Sequence, residues 1–378
     1  MHQNNPRRYS NLERLLETAG QVPVDHSSRV VVFSDLHMGD GSRKDEFLHN
    51  SRLLETVLDK HYLMNRFSLV LNGDIEELMK FSIGSIAGQW SRFYDLFLRF
   101  RDNGFFWKIY GNHDMGLLDE KEYRLAPCLV ESLAFRYGSN TILLFHGHQA
   151  SAFLNESCSL ACRSLSYLLR YIAKPAGIRN YSVSYKSRKR YAIEQTVYDF
   201  SNRAGIISII GHTHRPLFES LSKVDYLNYR IEDLCRTYPS AGSERRKHIE
   251  DEIGRMKEEL DECYRKGFRK SLRSGRYGNI TIPSIFNSGC AIGKRGVTAI
   301  EIEDGMIRLV YWHNGNLEGG VSSEVGCSEE LGKSGFFRVV LNEDRLDYVF
   351  SRIRLLSPNQ DDARPQVAGQ MNASPSFI

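Results

Sequence analysis

Five short blocks of the chain carry residue types that bind metal ions. They are Asp35-Leu36-His37, Gly73-Asp74, Gly111-Asn112-His113-Asp114, His146-Gly147-His148 and Gly211-His212-Thr213-His214. Six of the 12 histidines fall within them. A single D-x-H or G-D pair arises by chance in any chain of this size, but five such blocks in series form a pattern. Imidazole nitrogen combined with carboxylate and amide oxygen suits borderline first-row ions such as Mn, Fe, Zn or Co, and the lack of thiolates argues against a soft-metal site. A carboxylate can bridge two ions. Two ions about 3.5–4 Å apart can hold a hydroxide between them and clamp the oxygens of a phosphoryl group during in-line attack. Gly73, Gly111 and Gly211 are expected to let the chain turn sharply into ligand geometry.

Each block follows a short apolar run. Val30–Phe33, Ser68–Leu71, Phe106–Tyr110, Thr141–Phe145 and Ile206–Ile210 read as strands buried on both faces. Helix-spaced apolar residues over Glu46–Tyr62 and Gln89–Arg101 fall between the first three strands. The chain is therefore α/β, with its polar residues gathered at the C-terminal ends of strands, where α/β folds place ligands. Gly296–Glu303, the turn Asp304-Gly305 and Met306–Trp312 predict a β-hairpin.

Two insertions interrupt the rhythm. Residues 150–203 read as a helical cap, with Leu165, Leu168, Leu169 and Ile172 on one face and a basic run at Lys186–Arg190. Residues 221–277 read as a charged helical hairpin. Leu227, Ile231, Leu234 and Tyr238 repeat at 4-3-4 spacing, as do Ile249, Ile253, Met256 and Leu260. A basic stretch, Arg265–Arg276, closes it. The expected organisation is a helical lead-in over 1–28, a core built from 29–149, 204–220 and 278–356, these two insertions, and a disordered tail over 357–378.

Composition excludes several classes. The 378 residues carry 50 Lys+Arg against 46 Asp+Glu, too even a balance to argue for nucleic acid by net charge. No apolar run approaches the length of a membrane-spanning helix. The seven cysteines are odd in number and scattered, which speaks against a disulfide framework. The first residues lack the apolar core of a signal peptide, so a cytoplasmic location is expected, with peripheral contact at the inner membrane surface.

At the five blocks the sequence resembles the calcineurin-like metallophosphoesterase superfamily, whose pattern is D-x-H, G-D, G-N-H-[DE], H and G-H-x-H. The resemblance covers roughly Arg29 to His214 and the C-terminal hairpin. It implies an α/β sandwich of two sheets flanked by helices (αββα) and a dinuclear centre, with manganese the first expectation. By position, Asp35, His37 and His214 would hold one ion and Asn112, His146 and His212 the other, with Asp74 bridging. His113 would protonate the leaving group or stabilise charge, and Asp114 would orient it. Arg215 and His148 are candidates for substrate contacts.

Gly211-His212-Thr213-His214-Arg215-Pro216, with a helical insertion before it, looks like the subgroup of UDP-2,3-diacylglucosamine pyrophosphatases. The implied substrate is a lipid-linked nucleotide, with the cap touching acyl chains or a membrane surface. That enzyme carries Arg at the position of His113 and Asp at that of His148, so this chain follows the general superfamily pattern there. The alternatives are a nucleotide or nucleic-acid phosphodiesterase, to which the basic stretch would point, a phosphoprotein phosphatase, and an inactive scaffold of the same fold.

Overall fold

Within β2 (Val30–Phe33), Val30 and Val32 face one way and Val31 and Phe33 the other, yet all four are buried. Such a strand needs packing on both faces, and the architecture follows from that demand. The computed structural model describes residues 9–151, 188–218, 223–265, 282–292, 296–315 and 328–357. The apolar face Leu165–Ile172, the basic run up to Arg190, most of the basic stretch after Arg265, and the tail beyond Ser357 lie outside the described residues or are only partly within them.

The strands are β1 (Gly20–Val24), β2, β3 (Ser68–Asn72), β4 (Phe106–Ile109), β5 (Leu129–Val130), β6 (Ser132–Tyr137), β7 (Asn140–Phe145), β8 (Ile207–Ile210), β9 (Ile285–Asn287), β10 (Val297–Glu303), β11 (Met306–His313), β12 (Glu329–Glu330) and β13 (Phe337–Arg345). One sheet runs β12-β13-β11-β10-β2-β3-β4-β5 and the other β1-β6-β7-β8-β9. β2, β3 and β4 pair in parallel, with Val30 opposite Ser68 and Leu69 opposite Phe106, so their C-terminal ends align along one edge. β7 and β8 are likewise parallel, with Ile142 opposite Ile207.

Between the sheets, Val30, Val32 and Val70 meet Leu133, Leu144, Ile207 and Ile209. On the outer face of the larger sheet, Phe33, Leu69 and Leu71 pack with Leu54, Val57, Phe93 and Phe97 from the helices Ser51–Val57 and Ser91–Asn103. On the outer face of the smaller sheet, Leu143, Phe145 and Ile210 pack with Leu12, Leu15, Val197 and Phe200 from the helices Ser10–Thr18 and Arg188–Ala204. The chain is a two-sheet α/β sandwich flanked by helices, and the hairpin expected at Asp304-Gly305 joins β10 to β11.

The structure corrects three local expectations. The lead-in is not helical throughout, because β1 follows the first helix and pairs in parallel with β6. The helix expected from Glu46 begins at Ser51, and the side chain of its N-cap residue Asn50 donates to the carbonyls of Ala291 and Gly296. It ends in a π-helical turn, Leu58–Leu63. The helix expected over Gln89–Arg101 runs instead from Ser91 to Asn103, and a separate short helix, Ile83–Gln89, precedes it, with Ser82 capping that one by accepting from the Ser85 N–H. Trp90 sits at their junction and donates from Nε1 to the Gly39 carbonyl at 2.9 Å.

Lys223–Thr237 and Ser243–Arg265 are helices joined by a short turn. Leu227 packs against Met256 and Leu260, and the pairs Arg230–Glu252 and Tyr238–Glu250 require an antiparallel run. Among the described residues, no helix is long and apolar enough to cross a membrane.

Candidate metal centre

The C-terminal ends of β2, β3 and β4 meet those of β7 and β8, so side chains from both sheets converge. Three sets bring ligand atoms within 4.8 Å of one another: Asp35, His37 and His214; His37, Asp74 and His113; and Asp74, His146 and His212. Asp74 belongs to two of them. His37 Nε2 and His214 Nε2 lie 3.2 Å apart, and His214 Nε2 is 3.1 Å from Asp35 Oδ1. His146 Nε2 is 3.1 Å from Asp74 Oδ2 but makes no hydrogen bond. Neighbouring ligands on one ion, each about 2.1 Å from it, stand about 3 Å apart. Asn112 adds a buried Oδ1 with no hydrogen-bond partner among the described residues.

The surroundings hold these rings in one tautomer. His146 donates from Nδ1 to the Asn72 carbonyl at 3.0 Å, which turns its Nε2 toward Asp74. His37 turns Nδ1 to Glu77 Oε2 at 3.1 Å with the same result. Asp74 Oδ1 accepts from the His113 N–H at 2.8 Å, freeing Oδ2 to face the histidines. Asp35 accepts from the His212 N–H.

The backbone is strained to achieve this. Asp35, His37, Asp74, His212 and His214 have φ of 53°, 50°, 53°, 63° and 55°. Only Arg66 and Asp304 share that left-handed region among described non-glycine residues. Such clustering marks sites where geometry outweighs local comfort. The motif glycines differ from expectation, since Gly73 alone of the three has positive φ, at 84°. Gly111 and Gly211 serve close approach instead. A Cβ on Gly111 would overlap Asp74, one on Gly211 would overlap Asp35 and Ser34, and one on Gly73 would overlap the His146 ring.

Charge is distributed unevenly. Burial opposes ionisation of Asp35 and Asp74, yet the facing histidines hold Asp35 below and Asp74 well below the usual carboxylate range. Burial acts against a charged His146, but Asp74 and Asp35 raise it to about 9. Burial and the neighbouring His146 push His212 down to about 3.

His113 shows where the expectation for Asp114 fails. Asp114 does not touch the His113 ring. Its Oδ2 accepts from the Ile75 N–H and from Lys108 Nζ, both at 2.9 Å, and its Oδ1 accepts from the Gly111 N–H. The side chain has turned back beneath its own loop. The residue that orients His113 is Glu77, whose oxygens lie 2.9 and 3.0 Å from His113 Nδ1. Burial opposes an ionised Glu77, but hydrogen bonds from His113 and His37 hold it well below the usual range. Against the cost of burial, Asp74 and Glu77 raise His113 to about 9. The only sequence signal for Glu77 was its place three residues after Asp74, where helix-like or turn spacing returns a side chain to the same region.

His148 is 5% exposed and so is no surface histidine. Its ring lies 5.6 Å from His146 and 6.3 Å from His212, its Nδ1 has no hydrogen-bond partner among the described residues, and burial holds it well below its ordinary pKa. Arg215 pairs with buried Glu194, which also accepts from the Thr213 hydroxyl, and lies over the Tyr191 ring. That guanidinium braces the His212–His214 loop. Lys108 and Glu76, both fully buried, were not anticipated.

No protein-family model matches the chain, and no curated protein is similar to it in sequence. Among solved structures it is similar to a single mutant of Vps29 from Entamoeba histolytica, with 13% identity over 76% of this chain and 93% of that one, at a TM-score of 0.32. A likeness that loose decides nothing about chemistry.

Proposed function

We propose that the strand-end site is a dinuclear metal centre and that the protein hydrolyses a phosphoester or pyrophosphate bond. The carrying observation is Asp74, one buried carboxylate whose Oδ2 faces a histidine of each ligand set, His146 Nε2 at 3.1 Å and His37 Nε2 at 4.0 Å. The donors fit a pair of ions. The imidazole nitrogens of His37 and His214 face each other at 3.2 Å, and His146 Nε2 and Asn112 Oδ1 have no hydrogen-bond partner among the described residues. Asp35, His37 and His214 would hold one ion, Asn112, His146 and His212 the other, and Asp74 both. All-N/O ligation suits Mn, Fe, Zn or Co, and Mn²⁺ is the first to test.

Bound ions would supply Lewis-acid polarisation of phosphoryl oxygens and an activated water. The remaining work falls to the chain. His113 donates from Nδ1 to Glu77, so its second proton sits on Nε2, 4.0 Å from Asp74 Oδ2 and thus facing the centre. Held by Glu77 with that proton turned to the centre, the ring can deliver it to a leaving oxygen. Glu77 fixes both this ring and His37, so the acid and one ligand share an anchor.

Within this class, the Gly211–Pro216 pattern and the insertion before it favour a lipid-linked nucleotide of the UDP-diacylglucosamine kind. A hydrolysis screen with Mn²⁺ over monoesters, diesters, nucleotide-sugar lipids and phosphopeptides tests the reading, with Asp74→Asn as blank. Turnover of a phosphoester or pyrophosphate by the parent alone supports it. Equal turnover by the blank, or none by a parent holding two ions, sinks it.

A further inference from the structure

Behind the centre lies a group of charges that the proposed chemistry leaves unused. Lys108, on β4, is fully buried beneath the helix Ser91–Asn103, and its ammonium sits 2.7 Å from Glu76 Oε2 and 2.9 Å from Asp114 Oδ2. Glu76 Oε1 in turn accepts from the hydroxyls of Tyr94 at 2.9 Å and Tyr123 at 2.7 Å. Two carboxylates and one ammonium thus share a site with no exposure to solvent. As a device for stability this is a poor choice, since replacing buried ion pairs by well-packed apolar groups is often neutral or favourable. Its placement suggests another purpose. Asp114 reaches one loop through the Ile75 N–H and another through the Gly111 N–H. The first loop carries Asp74 and Glu77, and the second carries Asn112 and His113.

We propose that Lys108 is a positioning residue: its ammonium locks Asp114 as a clasp between the β3 and β4 loops, and so sets Asn112 and His113 against Asp74. The inference rests on the dinuclear reading of the site. Neither the β2 loop nor the β8 loop is bound by this clasp, so its loss acts unequally. Ligation through Asn112 suffers, and the set Asp35, His37 and His214 keeps its own supports. The ammonium stays charged, because Asp114 and Glu76 outweigh the burial that opposes it.

The test compares the parent chain with Lys108→Met and with Lys108→Met combined with Glu76→Gln. The double variant restores the net charge of the buried group without restoring the clasp, and so stands in if the single variant fails to fold. Mn²⁺ alone is titrated by calorimetry and electron paramagnetic resonance, alongside thermal unfolding, kcat and KM. The expected result is a cooperative fold in which one Mn²⁺ step weakens about 10–100-fold while the other holds. In both variants kcat falls about 100-fold with KM little changed, as small displacements of reacting groups do. A folded variant with both Mn²⁺ steps and kcat of the parent overturns the proposal. So does full recovery in the double variant, which would make charge balance the whole effect. A parent that takes up no Mn²⁺ overturns the functional reading as well, and is seen before any variant is compared.

Discussion

Asp74 and Glu252 each face a basic side chain at about the same distance, 3.1 Å to His146 and 3.2 Å to Arg230. Asp74 and His146 are 1% and 0% exposed, whereas Glu252 and Arg230 in the helical hairpin are 19% and 24% exposed. In the hairpin, water screens the pair, and such contacts typically contribute about 0.2–1 kcal/mol. At the strand ends the carboxylates are shielded from water, so removing one partner leaves its neighbour buried and unpaired. The same residue chemistry therefore gives a replaceable brace in one region and an interdependent centre in the other. Regularity differs too. The hairpin keeps helical geometry throughout Ser243–Arg265, while the site bends its backbone to aim five side chains.

The sharpest break in that contrast is Asp74→Asn, expected to empty both ion sites and abolish turnover. Elemental analysis with a rate assay checks it, and two retained ions with full activity would end the bridging assignment. Next comes Glu77→Gln. It should weaken the ion held through His37 by about 10–100-fold and, at saturating ion, lose about 10²–10⁴-fold in kcat on substrates with poor leaving groups, with a smaller loss on good ones. An equal loss on both would mean that Glu77 does not act through His113. Smaller still, Gly211→Ala forces a methyl into Asp35 and Ser34 and should lower stability by about 1–3 kcal/mol together with ion affinity. Denaturant unfolding and Mn²⁺ titration read both. The least effect is expected from Arg230→Ala, below about 1 kcal/mol with unchanged kcat. A tenfold fall in kcat there would bring the hairpin into the site and dissolve the contrast.

The two regions also differed in how far sequence revealed them. The hairpin's stripe was readable because Leu227, Met256 and Leu260 repeat locally and then meet each other. The five blocks were readable because each sits directly after an apolar run. β1 was not, since Gly20-Gln21-Val22-Pro23-Val24 breaks strand chemistry with a glycine and a proline, and only an edge position beside β6 accommodates it. Asp114 misled because the orienting role the resemblance implies for it falls here to Glu77, while Asp114 bonds Ile75, Lys108 and Gly111. Glu77 and Lys108 stayed hidden for the converse reason: their roles exist only once three loops are stacked. His148 could not be placed without knowing that the turn after β7 folds inward.

The left-handed backbone at Asp35, His37, Asp74, His212 and His214 bears on how such a chain can drift. Each unfavourable conformation costs about 1–3 kcal/mol, and glycine at any of these positions would relieve most of it. At Asp35 and Asp74 that relief is offset, because glycine would also strip the acceptor from the His212 and His113 N–H groups and leave the buried His146 and its neighbours unpaired. The strained backbone and the buried contacts thus hold each other in place, and a substitution that eases one exposes the cost of the other.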